Sequence, residues 1–336
     1  MYKSIILATI AGILATTTLV YLANQESPKS SRLLVSNIDQ LWIQWKQQNG
    51  KSFGTNSEEE YRFSVFKQNH AIVQNSNSQN RSFTLGLNKF ADLTNLEFKA
   101  QYLGTKVPAQ KNNIKHIPYT SKDHVDWRGI AVSDVKNQGH CGSCWAFSTT
   151  GAVEGLYGVN NPYKLQKSFS EQQLVDCARG IWNNNGCNGG LMDQAFNYIM
   201  KYGITEESQY EYTAMDGQCK YTSDMKAFEF SSYVDVPADD NNALKSAVAQ
   251  APVSVAIEGE YIKLYTGGIF DNWECGNHLD HGVLVVGYGS EGDKDFWIVK
   301  NSWGSSWGEI GYVRFARKDS GVGICGITKQ ASYPTL

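Results

Sequence analysis

The sequence predicts an α+β body of two packed lobes, residues 121–336, preceded by a separate, mainly helical segment, residues 24–120. Three observations predict it. Between Cys144 and Gly203 apolar residues recur at helical spacing, as in Trp145, Thr149, Ala152 and Leu156. From Val253 onward they gather instead in short runs rich in β-branched and aromatic residues, separated by glycines. Helices followed by strands imply two lobes, with the groove between them as the default binding site. Charge also divides the chain: residues 24–120 carry a net +5 and residues 121–336 a net -9, although the whole is only -3. Opposite signs imply that the two segments bind each other.

The 336 residues exceed one ordinary domain, and a composition of 41% hydrophobic and 19% charged residues suits a globular protein with a substantial core. The near-neutral balance argues against nucleic acid as a partner. At the N-terminus, Lys3 precedes a mainly apolar stretch from Ser4 to Ala23. Residues 1–23 read as an export signal, or as an uncleaved membrane anchor, since the stretch approaches the ~20 residues that span a bilayer. Next, Glu58, Arg62, Phe66, Asn69, Val73 and Asn77 fall along one helical stripe. Its polar character predicts specific side-chain contacts rather than a core face. Gly86, Asn88, Phe90 and Asp92 alternate at period two, as in a short extended piece. Asn80-Arg-Ser82 is a glycosylation acceptor, and Lys106 to Tyr119 reads as a linker open to proteolysis.

In the acidic segment, Gly139 and Gly142 permit a tight turn into a helix that starts at Cys144. Ser170 with Gln173 makes a capping box for a second helix, and Leu191, Met192, Ala195, Phe196 and Ile199 give a third, ended by Gly203. Strands are expected at Val253 to Ile257, Gly282 to Gly287, Phe296 to Val299 and Tyr312 to Phe315.

The chemistry centres on Cys144, in the run from Gln138 to Trp145. A thiol at a helix N-terminus feels the positive end of the dipole, so its pKa is expected below ~8.5, and a neighbouring imidazole would complete its activation as a nucleophile. Cys141-x-x-Cys144 also fits redox spacing, but a redox site of that kind follows a strand in a βαβ unit, and no such alternation is present. Zinc would need a second close pair of ligands, for which His278 and His281 are the candidates. His281 lies just before an apolar strand that would hold it at a lobe edge, and Asn301 after another strand could orient its ring. Seven cysteines are an odd number; six can pair in 15 ways, which spacing does not resolve.

The run Cys141-Gly-Ser-Cys-Trp145, with His281 and Asn301 far downstream, resembles the signature of the papain-like cysteine proteases. Asp126-Trp127-Arg128, Gly186-Cys-Asn-Gly-Gly190, Leu279-Asp-His-Gly282 and Asn301-Ser-Trp-Gly304 follow in family order. Upstream, the stripe from Glu58 to Asn77 and Gly86-x-Asn-x-Phe-x-Asp92 resemble the two prosegment motifs of the cathepsin L-like branch. The resemblance implies a papain-like two-lobed fold, a helical lobe plus an antiparallel β-barrel-like lobe, behind an inhibitory prosegment. It implies a precursor of a cysteine endopeptidase that forms an acyl-enzyme, with Cys144 as nucleophile, His281 as acid and base, Asn301 orienting the ring and Gln138 in the oxyanion hole. Gly189 and Gly190 match the groove edge. Leu191, Met192, Ala256, Leu279 and Gly282 match the specificity pocket, and Gln330 its floor, where a small apolar residue is more usual. Trp303 matches the ring that shields His281 from water. The resemblance also implies the pairs Cys141 with Cys187, Cys177 with Cys219, and Cys275 with Cys325. It implies no cofactor and no metal. The partners implied are protein and peptide substrates and the chain's own prosegment, acting on a monomer in the secretory pathway, whether in a lysosome or similar acidic vacuole or secreted, with a membrane involved only if residues 1–23 stay attached.

Overall fold

The computed structural model describes residues 37–107 and 117–336. The apolar stretch at residues 4–23 and most of the linker lie outside the described residues. The chain divides into two units, residues 1–48 and 49–336. The first holds helix α1, Asn37–Gln48, in which Trp42 and Trp45 stack at 5.2 Å.

The second unit begins with helix α2, Asn56–Asn77, capped by Thr55, whose side chain accepts from Glu58 N. Its polar stripe makes specific contacts. Arg62 donates to Asp92 O and Glu97 Oε1, Asn69 donates to Ala91 O and Leu93 O, and Asn77 exchanges two hydrogen bonds with Leu85. A short strand β1, Phe83–Leu85, follows, and then helix α3, Asn95–Tyr102, opened by a reciprocal capping box between Thr94 and Glu97. The period-two run Gly86 to Asp92 is not a strand. Asn88 uses its side chain to accept from Phe90 N and to donate to Lys263 O, and these bonds fold the run into a turn.

Downstream of residue 120 the order is strand β2, Val125–Asp126; helices α4, Cys144–Asn160, α5, Glu171–Cys177, and α6, Met192–Tyr202; strand β3, Ser232–Asp235; and helix α7, Asn241–Val248. Strands β4, Val253–Ile257, β5, Tyr265–Phe270, β6, His281–Glu291, β7, Lys294–Lys300, β8, Tyr312–Ala316, and β9, Ala331–Thr335, complete it. Ser170 caps α5 by accepting from Gln173 N. The Gln173 side chain does not return the bond: it reaches Tyr198, Gly203 O and Thr205 N, so the capping box is only half formed. Gly203 ends α6, with its N–H on Ile199 O.

The sheet runs β1-β5-β8-β7-β6-β4-β9-β3, with β2 added on β6. Pairing is antiparallel except between β5 and β8, and among the described residues β1 and β3 form the two ends of an open, curved path rather than a closed barrel. Helix α4 packs on β6, β4 and β9 and is buried from Cys144 to Gly158, with Ser148, Thr149, Thr150 and Glu154 hydrogen-bonded inside it. It carries Cys144 at its first turn, and β6 carries His281 as its first residue. Strand β1 comes from the basic segment, so residues 49–107 supply both an edge of the sheet and part of the core, through Phe83, Phe90, Phe98 and Tyr102.

Candidate active site

Cys144 is the free cysteine; disulfides join Cys141 to Cys187, Cys177 to Cys219 and Cys275 to Cys325. Its thiol is fully buried at the start of α4 and lies 3.4 Å from Thr105 Oγ1. Across from it stands Gly282 on β6, where a Cβ would lie 3.1 Å from Cys144 O and 3.0 Å from Thr105 Oγ1. Glycine is what lets the strand approach the helix so closely.

His281, next to Gly282, is also fully buried. Its Nε2 donates to Asn301 Oδ1 at 2.8 Å, and Nδ1 has no partner. That bond fixes the tautomer and leaves Nδ1 as the free ring nitrogen. Trp303 stacks on the ring at 4.6 Å and 24°. Asn301 Oδ1 also accepts from Ser302 N at 2.8 Å, and Ser302 Oγ donates to Gln138 Oε1 at 2.7 Å. A continuous hydrogen-bonded path therefore links His281, Asn301, Ser302 and Gln138.

The pocket residues group around β4. Ala256 faces Gly282 in register and donates its N–H to Gln330 O at 2.9 Å. The Gln330 side chain turns to Asp193, which also accepts from Ser332. Met192 and Leu191 are buried at the start of α6, beside Asp193. Leu279 is half-buried and abuts Gly326. Asp193 and Thr105 had no signal in the sequence: an acid behind a pocket floor and a threonine upstream of the linker look ordinary until folded.

Residues 102–106 run over the nucleophile. Thr105 N donates to Asp280 O, Lys106 N to Gly190 O, and Gly190 N to Gly104 O, each at 2.8 Å. Gln138 Nε2 donates to Tyr102 O at 2.9 Å and to Cys141 O at 2.8 Å. Gly189, at φ +104°, has the O of Gly104 2.3 Å from where a Cβ would be, so its lack of a side chain admits this segment closely, while a Cβ on Gly190 would meet Asn184 and Trp145. Trp303 meets Phe90 and Phe98 edge-on at 5.5 and 5.1 Å, and Lys89 donates to Trp303 O at 2.6 Å.

This cover reverses the expected electrostatics. Burial pushes the Cys144 thiol up, although backbone N–H groups of Gly282 and Gly104 and the Thr105 side chain pull the other way. Burial pushes His281 down to about 4 against the opposing pull of Asn301 and Asp280. Burial thus disfavours the charged form of both groups, the opposite of what a thiol at a helix N-terminus was expected to show.

Residues 121–335 match the model of the papain family cysteine protease domain. The chain belongs to the papain family. Residues 42–98 match the cathepsin propeptide inhibitor domain. The protease is 42% identical to the "Cathepsin L-like proteinase" of Fasciola hepatica over 90% of this chain and 95% of that one. It is 46% identical to the "Probable cysteine protease RD21B" of Arabidopsis thaliana over 89% of this chain and 67% of that one. Among solved structures, digestive procathepsin L 3 of Tenebrio molitor larval midgut aligns with TM-score 0.81 and 42% identity, covering 90% of this chain and 100% of that one. The recombinant stem bromelain precursor aligns with TM-score 0.81 and 36% identity over 90% and 99% of the two chains. The protease is thus a cysteine peptidase precursor with the papain-like fold, and its own prosegment is its intramolecular inhibitor.

The opposite charges of the two segments meet at Lys99. Lys99 bridges to Glu260 at 3.0 Å and lies 3.9 Å from Asp280. Other lysines at the interface use carbonyls instead, as Lys89 does.

Proposed function

We propose that the mature protease is an endopeptidase in which Cys144 attacks the substrate carbonyl and His281 is its acid and base. The arrangement of His281 carries the reading: Nε2 is committed to Asn301, and Nδ1 is left without a partner on the strand whose next residue, Gly282, abuts Cys144. Once residues 102–106 leave, the thiol gives its proton to Nδ1 and becomes the nucleophile. As the sulfur adds, the carbonyl oxygen becomes an oxyanion facing Gln138 Nε2, freed from Tyr102 O, and the Cys144 N–H. His281 then protonates the departing amine, leaving a thioester on Cys144, and afterwards takes a proton from the water that hydrolyses it. Asn301 and Trp303 are positioning residues that hold the ring and keep water from the Nε2 bond.

Gly190 offers the substrate backbone the two hydrogen bonds that Gly104 and Lys106 now occupy, and Gly189 beside it leaves room for that backbone to approach. Leu191, Met192, Ala256, Leu279 and Gly282 form the pocket, with Gln330 as its floor; the pocket takes apolar side chains, and the polar Gln330, in place of a small apolar residue, lets it take longer or polar ones as well. The domain reading is residues 1–23 as signal or anchor, 24–120 as prosegment and 121–336 as catalytic domain. A monomer routed through the secretory pathway to a lysosome, an acidic vacuole or the exterior fits three disulfides. Acidifying the full-length precursor with a reductant should release peptide-cleaving activity, and Cys144→Ala should abolish it. Activity that survives the substitution refutes the assignment.

A further inference from the structure

Lys263 belongs to the catalytic body, at the end of the 3₁₀ turn Glu260–Ile262, and is 3% exposed. Its ammonium donates to Asn69 Oδ1 at 3.3 Å, Leu93 O at 2.9 Å and Asn95 Oδ1 at 2.7 Å. All three acceptors come from the prosegment, from two of its elements, and all are neutral. The carboxylates nearby are engaged by other cations: Asp92 by Lys51, Glu97 by Arg62 and Glu260 by Lys99. The prosegment builds the receiving site itself. Asn69 donates its amide N–H groups to Ala91 O and Leu93 O, which turns its Oδ1 towards the lysine.

An ammonium has three donors, and this one meets three acceptors. A buried cation so matched is tolerated; one that loses an acceptor keeps its desolvation cost without compensation. Discrimination built on an unpaired buried polar group is much sharper than discrimination built on apolar fit. We propose that Lys263 is a self-recognition contact, through which the body selects a prosegment that offers oxygen acceptors at residues 69 and 95 around the carbonyl of residue 93. The inference rests on residues 24–120 being the removable inhibitor, and it assigns Lys263 no part in hydrolysis.

Burial lowers Lys263 to about 8, with Glu260, Glu97 and Asp92 pulling partly back. The docked form therefore holds this proton less tightly than a lysine in water, so docking tightens as pH rises from about 8 towards the ordinary 10.5. Lys89, lowered to about 8 by burial and then by Lys51, acts in the same direction, so removing Lys263 should reduce that slope rather than erase it.

The test is a double-mutant cycle in the full chain carrying Cys144→Ala, which prevents self-cleavage. Prosegment opening is read at pH 7 from amide exchange at Gly86 and Thr105, whose N–H groups donate to Leu264 O and Asp280 O. Asn95→Ala should speed opening at least about tenfold when Lys263 is present and less than about threefold in Lys263→Met. Equal effects in the two backgrounds overturn the proposal. So does a slope of opening against pH, between 7 and 9.5, that is the same in Lys263→Met as in its parent. Exchange within α4 reports the fold of the body in every variant, and the mature Lys263→Met enzyme should keep its kcat/KM. If the unsubstituted chain shows no protection at Gly86 and Thr105, the inhibitory reading of the segment fails rather than the role of Lys263.

Discussion

Gly104→Ala should unseat the prosegment from the nucleophile. A Cβ at residue 104 would lie 2.1 Å from Gly142 O, 2.7 Å from its carbonyl carbon and 2.9 Å from its Cα. All three are backbone atoms, and Gly142 cannot retreat: its N–H donates to Cys187 O at 3.0 Å, and the neighbouring Cys141 is bonded to Cys187. A carbon and a carbonyl oxygen ordinarily stay about 3.3 Å apart, so the prosegment strand must move by roughly 1 Å. That displacement breaks the three 2.8 Å bonds made by Gly104, Thr105 and Lys106. At about 0.5–1.5 kcal/mol net for each, the loss is roughly 2–4 kcal/mol, or about 30- to 1000-fold in the closed-to-open ratio. The assay is the rate of Cys144 alkylation by iodoacetamide at pH 7 in the uncleaved precursor, since the thiol is fully buried in the closed form. The rate should rise by about that factor while the unfolding midpoint of the body stays put. An unchanged rate would refute the claim that residues 104–106 seal the site.

Lys136→Met tests the buried charges behind the site: Lys136 donates to Glu154 Oε1 at 3.1 Å, Glu171 Oε1 at 2.7 Å and Phe169 O at 2.9 Å. Its loss removes the ammonium paired with the buried Glu154 carboxylate, beside Glu171, whose carboxyl burial raises to about 8, and should cost about 3 kcal/mol in urea unfolding; a cost below about 1 kcal/mol would contradict that picture. In a Cys144→Ala chain, where no thiol can supply the ring's proton, prosegment release should be favoured by acid through His281. In the covered form this ring holds its proton only below about 4, against an ordinary 6.5, so the uncovered form binds more protons between those values and covering weakens as pH falls through that window. At 1.36 kcal/mol per pH unit the effect reaches up to roughly 3 kcal/mol, and His281→Gln in the Cys144→Ala chain should flatten the pH dependence of amide exchange at Thr105 between pH 6.5 and 4. A profile as steep as that of the parent would rule His281 out as the source.

The helices and strands that carry Cys144, His281 and Asn301 were legible because their signals are local. A glycine turn precedes α4, a run of β-branched residues follows His281, and another precedes Asn301. Strand β5 was not, because Thr266-Gly267-Gly268 interrupts its pattern and its partners, β1 and β8, are remote in sequence. Helix α3 passed unread although Thr94-x-x-Glu97 is a capping-box signature, which the structure forms in full. Gly86 to Asp92 misled because a period of two describes a strand only where backbone bonds pair it, and here Asn88 takes them with its side chain. Which residues do chemistry could be argued from motif and spacing. Their protonation in the precursor could not, since it follows from how deeply the folded chain buries them, and nothing in the sequence places Gly104 and Thr105 against the thiol.

Those two residues connect inhibition with chemistry. A prosegment that merely filled the groove would leave a thiolate and an imidazolium beneath it, and burying that pair would cost the covered form several kcal/mol unless its geometry were excellent. In the covered site burial raises the thiol and lowers the ring, which favours the uncharged form of each and avoids that cost. In the proposed mechanism, exposure then does two things in one step: it frees Gln138 Nε2 from Tyr102 O and restores to the start of α4 the solvent in which a dipole can hold a thiolate. An inhibitor that neutralises the pair it covers avoids burying two charges, and its departure lets the thiol's proton pass to the ring without one being exchanged with solvent.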